Sequence, residues 1–185
     1  MVSLSALLLP ILLASVAVFL VSSVLHMLLP IHKGDFKKLP DEEGARAALR
    51  DVPPGEYMLP CPSSMKDMAS PEVCEKFKQG PVGFLILRPA GMPNMGKGLL
   101  QWFLYSVLLS FFVAYIATMG LPEDADYDLV FRFTGTTAIL GYSLAYIPDS
   151  IWKGLSWSTT LKFFVDGVIY GLFTGGVFGW LWPRG

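Results

Sequence analysis

The stretch Phe163–Trp182, FFVDGVIYGLFTGGVFGWLW, decides the fold of this chain because it is long, apolar and rich in evenly spaced glycines. A helix of this length, about 20 residues, reaches roughly 30 Å, the thickness of the hydrocarbon core of a bilayer. The glycines recur every fourth residue and therefore share one helix face; they are Gly167, Gly171, Gly175 and Gly179. A face without side chains lets another helix approach closely, which is how helices associate in lipid. The sequence therefore predicts helix packing inside a membrane.

The composition also indicates a membrane protein. Of the 185 residues, 53% are hydrophobic and 16% are charged, whereas an average soluble domain is about 25% charged. The formal net charge of −1 is spread without a basic stripe, which argues against a nucleic-acid partner.

Four apolar segments are predicted to cross the membrane, with a polar insert between the first two. The first carries no basic residue before its apolar run and is too long for a secretory signal, so we expect an uncleaved anchor. The five tryptophans fall at or just beyond segment ends, as in an interfacial belt. The expected fold is a mainly α membrane protein with transmembrane helices at residues 4–29, 99–120, 129–147 and 163–182, an α+β module at 30–97 and an interfacial segment at 150–160.

The polar insert contains ten of the 14 basic residues and nine of the 15 acidic residues. Within it, Ser70 followed by Pro71 is a strong helix start, a cap before proline at the first helical position. Apolar runs of strand length stand on either side, at residues 57–59 and 82–87. The insert therefore reads as a strand–helix–strand module.

The distribution of basic residues predicts the orientation of the chain in the membrane. Lysines and arginines flank the insert, whereas the loop 121–128 has four acids and no base. Because basic loops stay in the cytoplasm, we expect the insert there and both termini outside, with Arg184 as the one charge against this assignment. Cys61 and Cys74 in the insert would then be reduced.

Two charged residues within the predicted spans are candidate functional groups, Asp166 and Arg132. A carboxylate inside a span is a functional candidate by default. However, Lys162 and Asp128 lie four residues before them, respectively, in ion-pair reach along a helix. The sequence therefore favours local pairing over a transport or catalytic role for both.

The sequence predicts no metal site, no cofactor and no catalytic site. His26 and His32 are six residues apart across Pro30, which is not the spacing of ligands on one helix face. They read as polar or interfacial contacts unless another helix or chain supplies partners. The sulfur residues of the insert lack a repeated copper-binding pattern and serve equally well as packing groups.

The second span offers a possible partner for the glycine face. Small residues share a spacing of four there, at Ser106, Ser110, Ala114 and Thr118. In the predicted topology the second and fourth spans are parallel, so their small faces are expected to meet inside one bundle. Association with another chain is the alternative use of such faces.

Three stretches resemble a family of small, uncharacterised bacterial integral membrane proteins: residues 22–33 (SSVLHMLLPIHK), 38–43 (KLPDEE) and 157–183 (WSTTLKFFVDGVIYGLFTGGVFGWLWP). The resemblance extends over most of the chain and includes the segment 63–65. It implies a bacterial inner-membrane location and attaches no activity, ligand or catalytic residue to the chain.

The leading functional hypothesis is a non-catalytic accessory or structural subunit of a larger membrane complex. Its partners would be membrane lipids and other membrane-protein subunits, or further copies of the chain. The alternative is a small oligomeric transporter or channel in which Asp166 is a functional carboxylate. The third hypothesis is an enzyme at the membrane surface that uses His26, His32 or Asp166 on a lipid-linked substrate.

Overall fold

The computed structural model describes residues 2–183, so Arg184 lies outside the described part of the chain. The chain divides into two compact units, one of residues 2–35, 94–151 and 155–183 and the other of residues 36–93 and 152–154. The helices are α1 (Leu8–Ser23), α2 (Glu42–Ala48), α3 (Pro71–Gln79), α4 (Met95–Gly120), α5 (Tyr127–Ser143), α6 (Ile147–Lys153) and α7 (Trp157–Leu181), and the strands are β1 (Gly55–Leu59) and β2 (Gly83–Leu87).

Three helical stretches are long and apolar enough to cross a membrane: Leu4–Leu28, Met95–Gly120 and Trp157–Leu181. They correspond to the first, second and fourth predicted spans. Large apolar side chains on their outer faces are exposed, among them Leu8, Leu20 and Leu108. In a bilayer, lipid would cover such a surface, and the structure is consistent with a multi-pass membrane protein.

The third predicted span, residues 129–147, is not one continuous α-helix. Helix α5 begins at Tyr127 behind the Asp126 cap, whose carboxylate accepts the Leu129 N–H at 2.8 Å, and it ends at Ser143. A 3-10 turn, Leu144–Tyr146, follows before α6. Pro148 explains the break, because a proline has no N–H for the carbonyl four residues before it and clashes with that carbonyl.

The predicted interfacial segment, residues 150–160, is divided between two helices. Helix α6 ends at Lys153, and Gly154 reverses the chain with a φ of 73°. Helix α7 then begins at Trp157, six residues before the predicted start of the last span. Asp166 is therefore the tenth residue of its helix instead of lying one turn inside it.

The glycine face of α7 packs against α5 at backbone distance. A Cβ added to Gly167 would lie 2.8 Å from the Ser143 backbone, and one added to Gly175 would lie 2.7 Å from the Phe131 carbonyl oxygen. Gly179 faces Tyr127, so the two helices run antiparallel. The expectation that this face meets the second span is wrong: α5 occupies it, because the chain reverses through α6 and returns beside α5.

Helix α4 instead packs against α1 and α5. Of its predicted packing residues, Ser106, Ser110 and Ala114 are fully buried, and Thr118 is half-buried. The Trp102 Nε1–H donates to Ser22 Oγ at 2.8 Å and joins α4 to α1.

Two tryptophans have specific hydrogen-bond partners. The first is Trp102, bonded to Ser22. The second is Trp182, which is buried and donates to the Pro122 carbonyl at 3.0 Å. Trp152, Trp157 and Trp180 are exposed, as a belt requires.

The second unit contains a small two-stranded sheet. Strands β1 and β2 are antiparallel, with Gly55 opposite Leu87 and Leu59 opposite Gly83. In chain order, α3 lies between the two strands. Ser70 caps this helix as the sequence predicts, and the Ser70 hydroxyl accepts the Val73 N–H at 3.3 Å. Both cysteines of the chain, Cys61 and Cys74, lie in this unit as exposed free thiols.

Candidate functional site

The site begins where the first membrane helix ends. Helix α1 widens into a π-helical turn, Val24–Leu28, whose closing bond runs from the Leu29 N–H to the Val24 carbonyl at 3.1 Å. Pro30 follows, and the residue before a proline is driven to extended backbone, as Leu29 is with φ −88° and ψ 141°. A 3-10 turn, Pro30–His32, follows this extended residue and contacts α7. Single π-helical turns are frequent at functional sites.

The break in the helix places the two histidines side by side. The ring centroids of His26 and His32 lie 4.2 Å apart. Their spacing of six excludes a shared face on a straight helix, but the π turn and the break at Pro30 replace that straight helix.

Asp166 on α7 completes the cluster. Its Oδ2 lies 2.9 Å from His32 Nε2 and 3.5 Å from His26 Nε2, and its side chain is 4% exposed. The predicted partner, Lys162, instead places its Nζ 2.6 Å from Asp35 Oδ1. The expected local pairing of Asp166 is thus replaced by contact with both histidines, because the 3-10 turn supplies Asp35 as a partner for the lysine.

Asp35 holds His32 in place. Its Oδ2 accepts from His32 Nδ1 at 2.6 Å, and its other oxygen accepts from Lys162. The Lys162 hydrogen bond, aided by that of His32, lowers the pKa of Asp35 below the ordinary 3.8 although burial opposes the shift. Asp35 is therefore an ionised acceptor, and His32 donates to it from Nδ1.

The other ring nitrogen, His32 Nε2, lies 2.9 Å from Asp166 Oδ2. Neither of these two atoms has a hydrogen-bond partner, and both are buried. Buried polar groups normally have partners, so the pair calls for a cation or a proton between them.

A cavity of about 660 Å³ opens beside the cluster. His26 and Asp166 form part of its wall, and the Tyr170 hydroxyl lies 3.2 Å from His26 Nε2. Six aromatic residues form much of the wall: Trp102, Tyr105, Tyr142, Tyr146, Phe163 and Tyr170. Cavities of this size with apolar walls and a few convergent polar groups are typical ligand sites.

Arg132 does not belong to this site. Its Nη1 lies 3.2 Å from Asp128 Oδ2, and both side chains are exposed, so the predicted local pair is present. The glycines and the small residues of α4 serve helix contacts, as described above. Of the sequence candidates, the structure thus brings His26 and Asp166 into one site and leaves Arg132 outside it.

Sequence reasoning missed Asp35 and Tyr170 and gave His32 no partner. The only local signal for Asp35 is the segment Pro30–Asp35, where a proline turn carries a histidine and a carboxylate three residues apart. Tyr170 lies four residues after Asp166, on the same face of α7. No protein-family model, curated protein or solved structure matches the chain, so functional assignment depends on these residues.

Proposed function

We propose that the protein binds a membrane-resident amphipathic molecule in this cavity, with the polar head against His26, Asp166 and Tyr170 and the apolar part along the aromatic wall. The observation that carries the proposal is the cavity itself, which combines a largely apolar wall with the polar groups of His26, Asp166 and Tyr170. A lipid-like ligand has the same two-part character.

The depth of the cavity within the bundle supports a lipid-like ligand. Its wall on α4 runs from Gly98 to Tyr105, beginning next to Lys97. Lysines of this type are common at the membrane interface. At 1.5 Å per residue, Tyr105 lies about 12 Å along the helix from Lys97. That range is the headgroup and upper acyl region of one leaflet.

The proposal includes a fourth transmembrane helix, α5. Its 17 residues reach about 25 Å, and the 3-10 turn lengthens the segment. It contacts α7 from the Gly167 level to the Gly179 level, so the two helices occupy the same depth. Because α7 is a candidate span, α5 crosses the membrane beside it.

The basic residues around the insert favour a cytoplasmic position for residues 30–97, and the resemblance to bacterial proteins favours the inner membrane. A membrane-impermeant maleimide tests this topology with the two natural thiols. We expect Cys61 and Cys74 to react only after the cells are opened. In a variant lacking both, Asp124→Cys in the acidic loop should react in intact cells. The reverse pattern would contradict the topology.

A second candidate function is catalysis on a lipid-linked substrate. The specific observation in its favour is the buried Asp166 carboxylate between two imidazoles beside the cavity. Carboxylates and histidines in a cleft are the groups that general acid–base chemistry uses. Catalysis requires the same bound ligand, so binding is tested first.

The other two hypotheses have less support. A channel lined by the glycines of α7 conflicts with the position of α5, which covers that face. An accessory-subunit role stays a prediction, since the exposed apolar surface suits lipid and a protein partner equally well.

Native mass spectrometry of the full chain from mild detergent tests ligand binding. We expect the wild-type chain to carry one lipid-like adduct. Ala145→Trp fills the cavity and should lose the adduct, because Ala145 is part of the wall. The matched control is Leu144→Trp, at an exposed neighbouring position outside the wall, which should keep it. An adduct of equal occupancy in all three chains would contradict the proposal.

A further inference from the structure

The His26–His32–Asp166 cluster has the donor atoms and spacing of a metal centre. The three ligand atoms all lie within 4.8 Å of one another. Bonds of about 2.0–2.2 Å from nitrogen and oxygen to Zn²⁺ place neighbouring ligand atoms roughly 3–3.5 Å apart in a tetrahedral site. The two distances from Asp166 Oδ2, 2.9 Å to His32 Nε2 and 3.5 Å to His26 Nε2, fall close to that spacing.

From this geometry we infer that His26, His32 and Asp166 bind one divalent first-row transition-metal ion, with Zn²⁺ as the representative. Two imidazoles and one carboxylate suit Zn²⁺ and its neighbours better than Mg²⁺ or Ca²⁺, which prefer oxygen ligands. Three protein ligands leave a further coordination position open, as in catalytic zinc sites. The inference goes beyond lipid binding, since the ion needs only these side chains.

The unpartnered atoms are an independent argument for the ion. His32 Nε2 and Asp166 Oδ2 are buried and face each other without a hydrogen bond. A metal cation between them would give both atoms a partner. Binding requires the imidazole nitrogen unprotonated and the carboxylate ionised.

The surroundings of His32 match the outer shell of known metal sites. A ligating histidine usually donates its other ring N–H to a carboxylate, which fixes the tautomer and the ring orientation. His32 donates from Nδ1 to Asp35 at 2.6 Å, and Lys162 holds that carboxylate in turn. Asp35 is therefore a positioning residue for the ion.

His26 has a different partner in the absence of metal. The Tyr170 hydroxyl lies 3.2 Å from His26 Nε2, in hydrogen-bond reach of the atom that would ligate the ion. Metal binding would displace this contact. Tyr170→Phe should therefore leave metal affinity unchanged or raise it, which distinguishes a ligand from a neighbour.

The test titrates the purified full chain in detergent, after chelator treatment, with Co²⁺ alone by absorption spectroscopy and with Zn²⁺ alone by calorimetry. We expect one ion per chain. Asp166→Asn should weaken affinity more than a hundredfold. Asp35→Asn should weaken it about 10–100-fold, the usual effect of an outer-shell partner. Asp128→Asn, at an exposed acid, should not change it.

Two results would overturn the inference: a folded wild-type chain that binds no stoichiometric metal, or an Asp166→Asn chain that binds it as tightly as wild type. The first result would assign a proton to the His32–Asp166 contact. If Asp166→Asn does not fold, His26→Gln replaces it, and the wild-type stoichiometry alone still decides. Ala145→Trp should keep the metal while losing the lipid, so failure of one proposal is distinguishable from failure of the other.

Discussion

The two halves of α7 have different surroundings. From Gly171 to Gly179 the helix has no side chain on one face, and α5 packs there at backbone distance. Nearer its beginning, the same helix carries Asp166 and Tyr170, which face the histidines of the first membrane segment and a cavity. Helix α5 covers the glycine face of the first of these halves. The other half borders the cavity, and its Asp166 Oδ2 has no hydrogen-bond partner.

The comparison separates the packing contacts of one half of the helix from the open cavity beside the other. In lipid there is no hydrophobic driving force between helices. Close backbone packing stabilises their contact through dispersion instead. Buried polar groups lower stability unless they are paired. We therefore expect substitutions in the glycine half to lower stability and some substitutions in the polar half to raise it.

The largest effect should come from Gly175→Leu. Even a Cβ at this position would meet the Phe131 carbonyl oxygen at 2.7 Å, so α5 must move away. We expect a loss of about 3 kcal/mol in the free energy of unfolding, at the upper end for overpacking. Thermal unfolding in detergent measures the loss.

Gly176→Leu is the matched control for that prediction. A Cβ added to this neighbouring glycine would have only the Tyr127 hydroxyl within 4 Å, at 3.8 Å. Gly176 also borders an open depression. It should therefore be tolerated. Equal destabilisation by the two variants would mean that the glycine face does not carry the α5–α7 contact.

A smaller effect of opposite sign should come from Asp166→Asn in the metal-free protein. The new amide N–H can donate to His32 Nε2, which has no partner in the wild-type chain. Restoring a hydrogen bond to a buried group should raise the free energy of unfolding by about 1–2 kcal/mol.

The check is the melting temperature in chelator, with Asp128→Asn unchanged as the control at an exposed acid. A lower melting temperature for Asp166→Asn would indicate that a proton already joins Asp166 to His32 in the wild-type protein.

The smallest effect should come from Trp102→Phe, which tests the hydrogen bond that joins α4 to α1 at the cavity wall. The change removes the Nε1–H bond to Ser22, whose hydroxyl still donates to the Phe19 carbonyl. Interhelical hydrogen bonds in membranes contribute on average about 0.6 kcal/mol, so a loss near that value is expected. Trp180→Phe, at an exposed tryptophan, should give no measurable change in unfolding.

The sequence predicts the periodic parts of this molecule well. Three long apolar segments, the cap at Ser70 and the Arg132–Asp128 pair are all local patterns, and the structure contains them. The partner of the glycine face could not be predicted, because a small-residue face accepts any neighbouring helix. The chain path through α6 makes that choice.

The site depends on contacts that local spacing does not encode. His32 and Asp166 are separated by more than a hundred residues, and they meet because the segment that follows Pro30 packs against α7. The sequence predicts that Lys162 pairs with Asp166 one turn away. Lys162 pairs with Asp35 instead, since the same segment brings a second carboxylate within its reach.

Photocrosslinking in vesicles with a lipid that carries a photoreactive group in its upper acyl chain tests the contrast between the two halves most directly. We predict that adducts on the full chain map to the cavity wall around Trp102, Tyr105 and Tyr146, and that Ala145→Trp removes them. Adducts at the open depression near Phe173 and Trp180, in the glycine half, should be weaker and unaffected by that variant. Equal labelling of the two halves, unchanged in Ala145→Trp, would contradict the account.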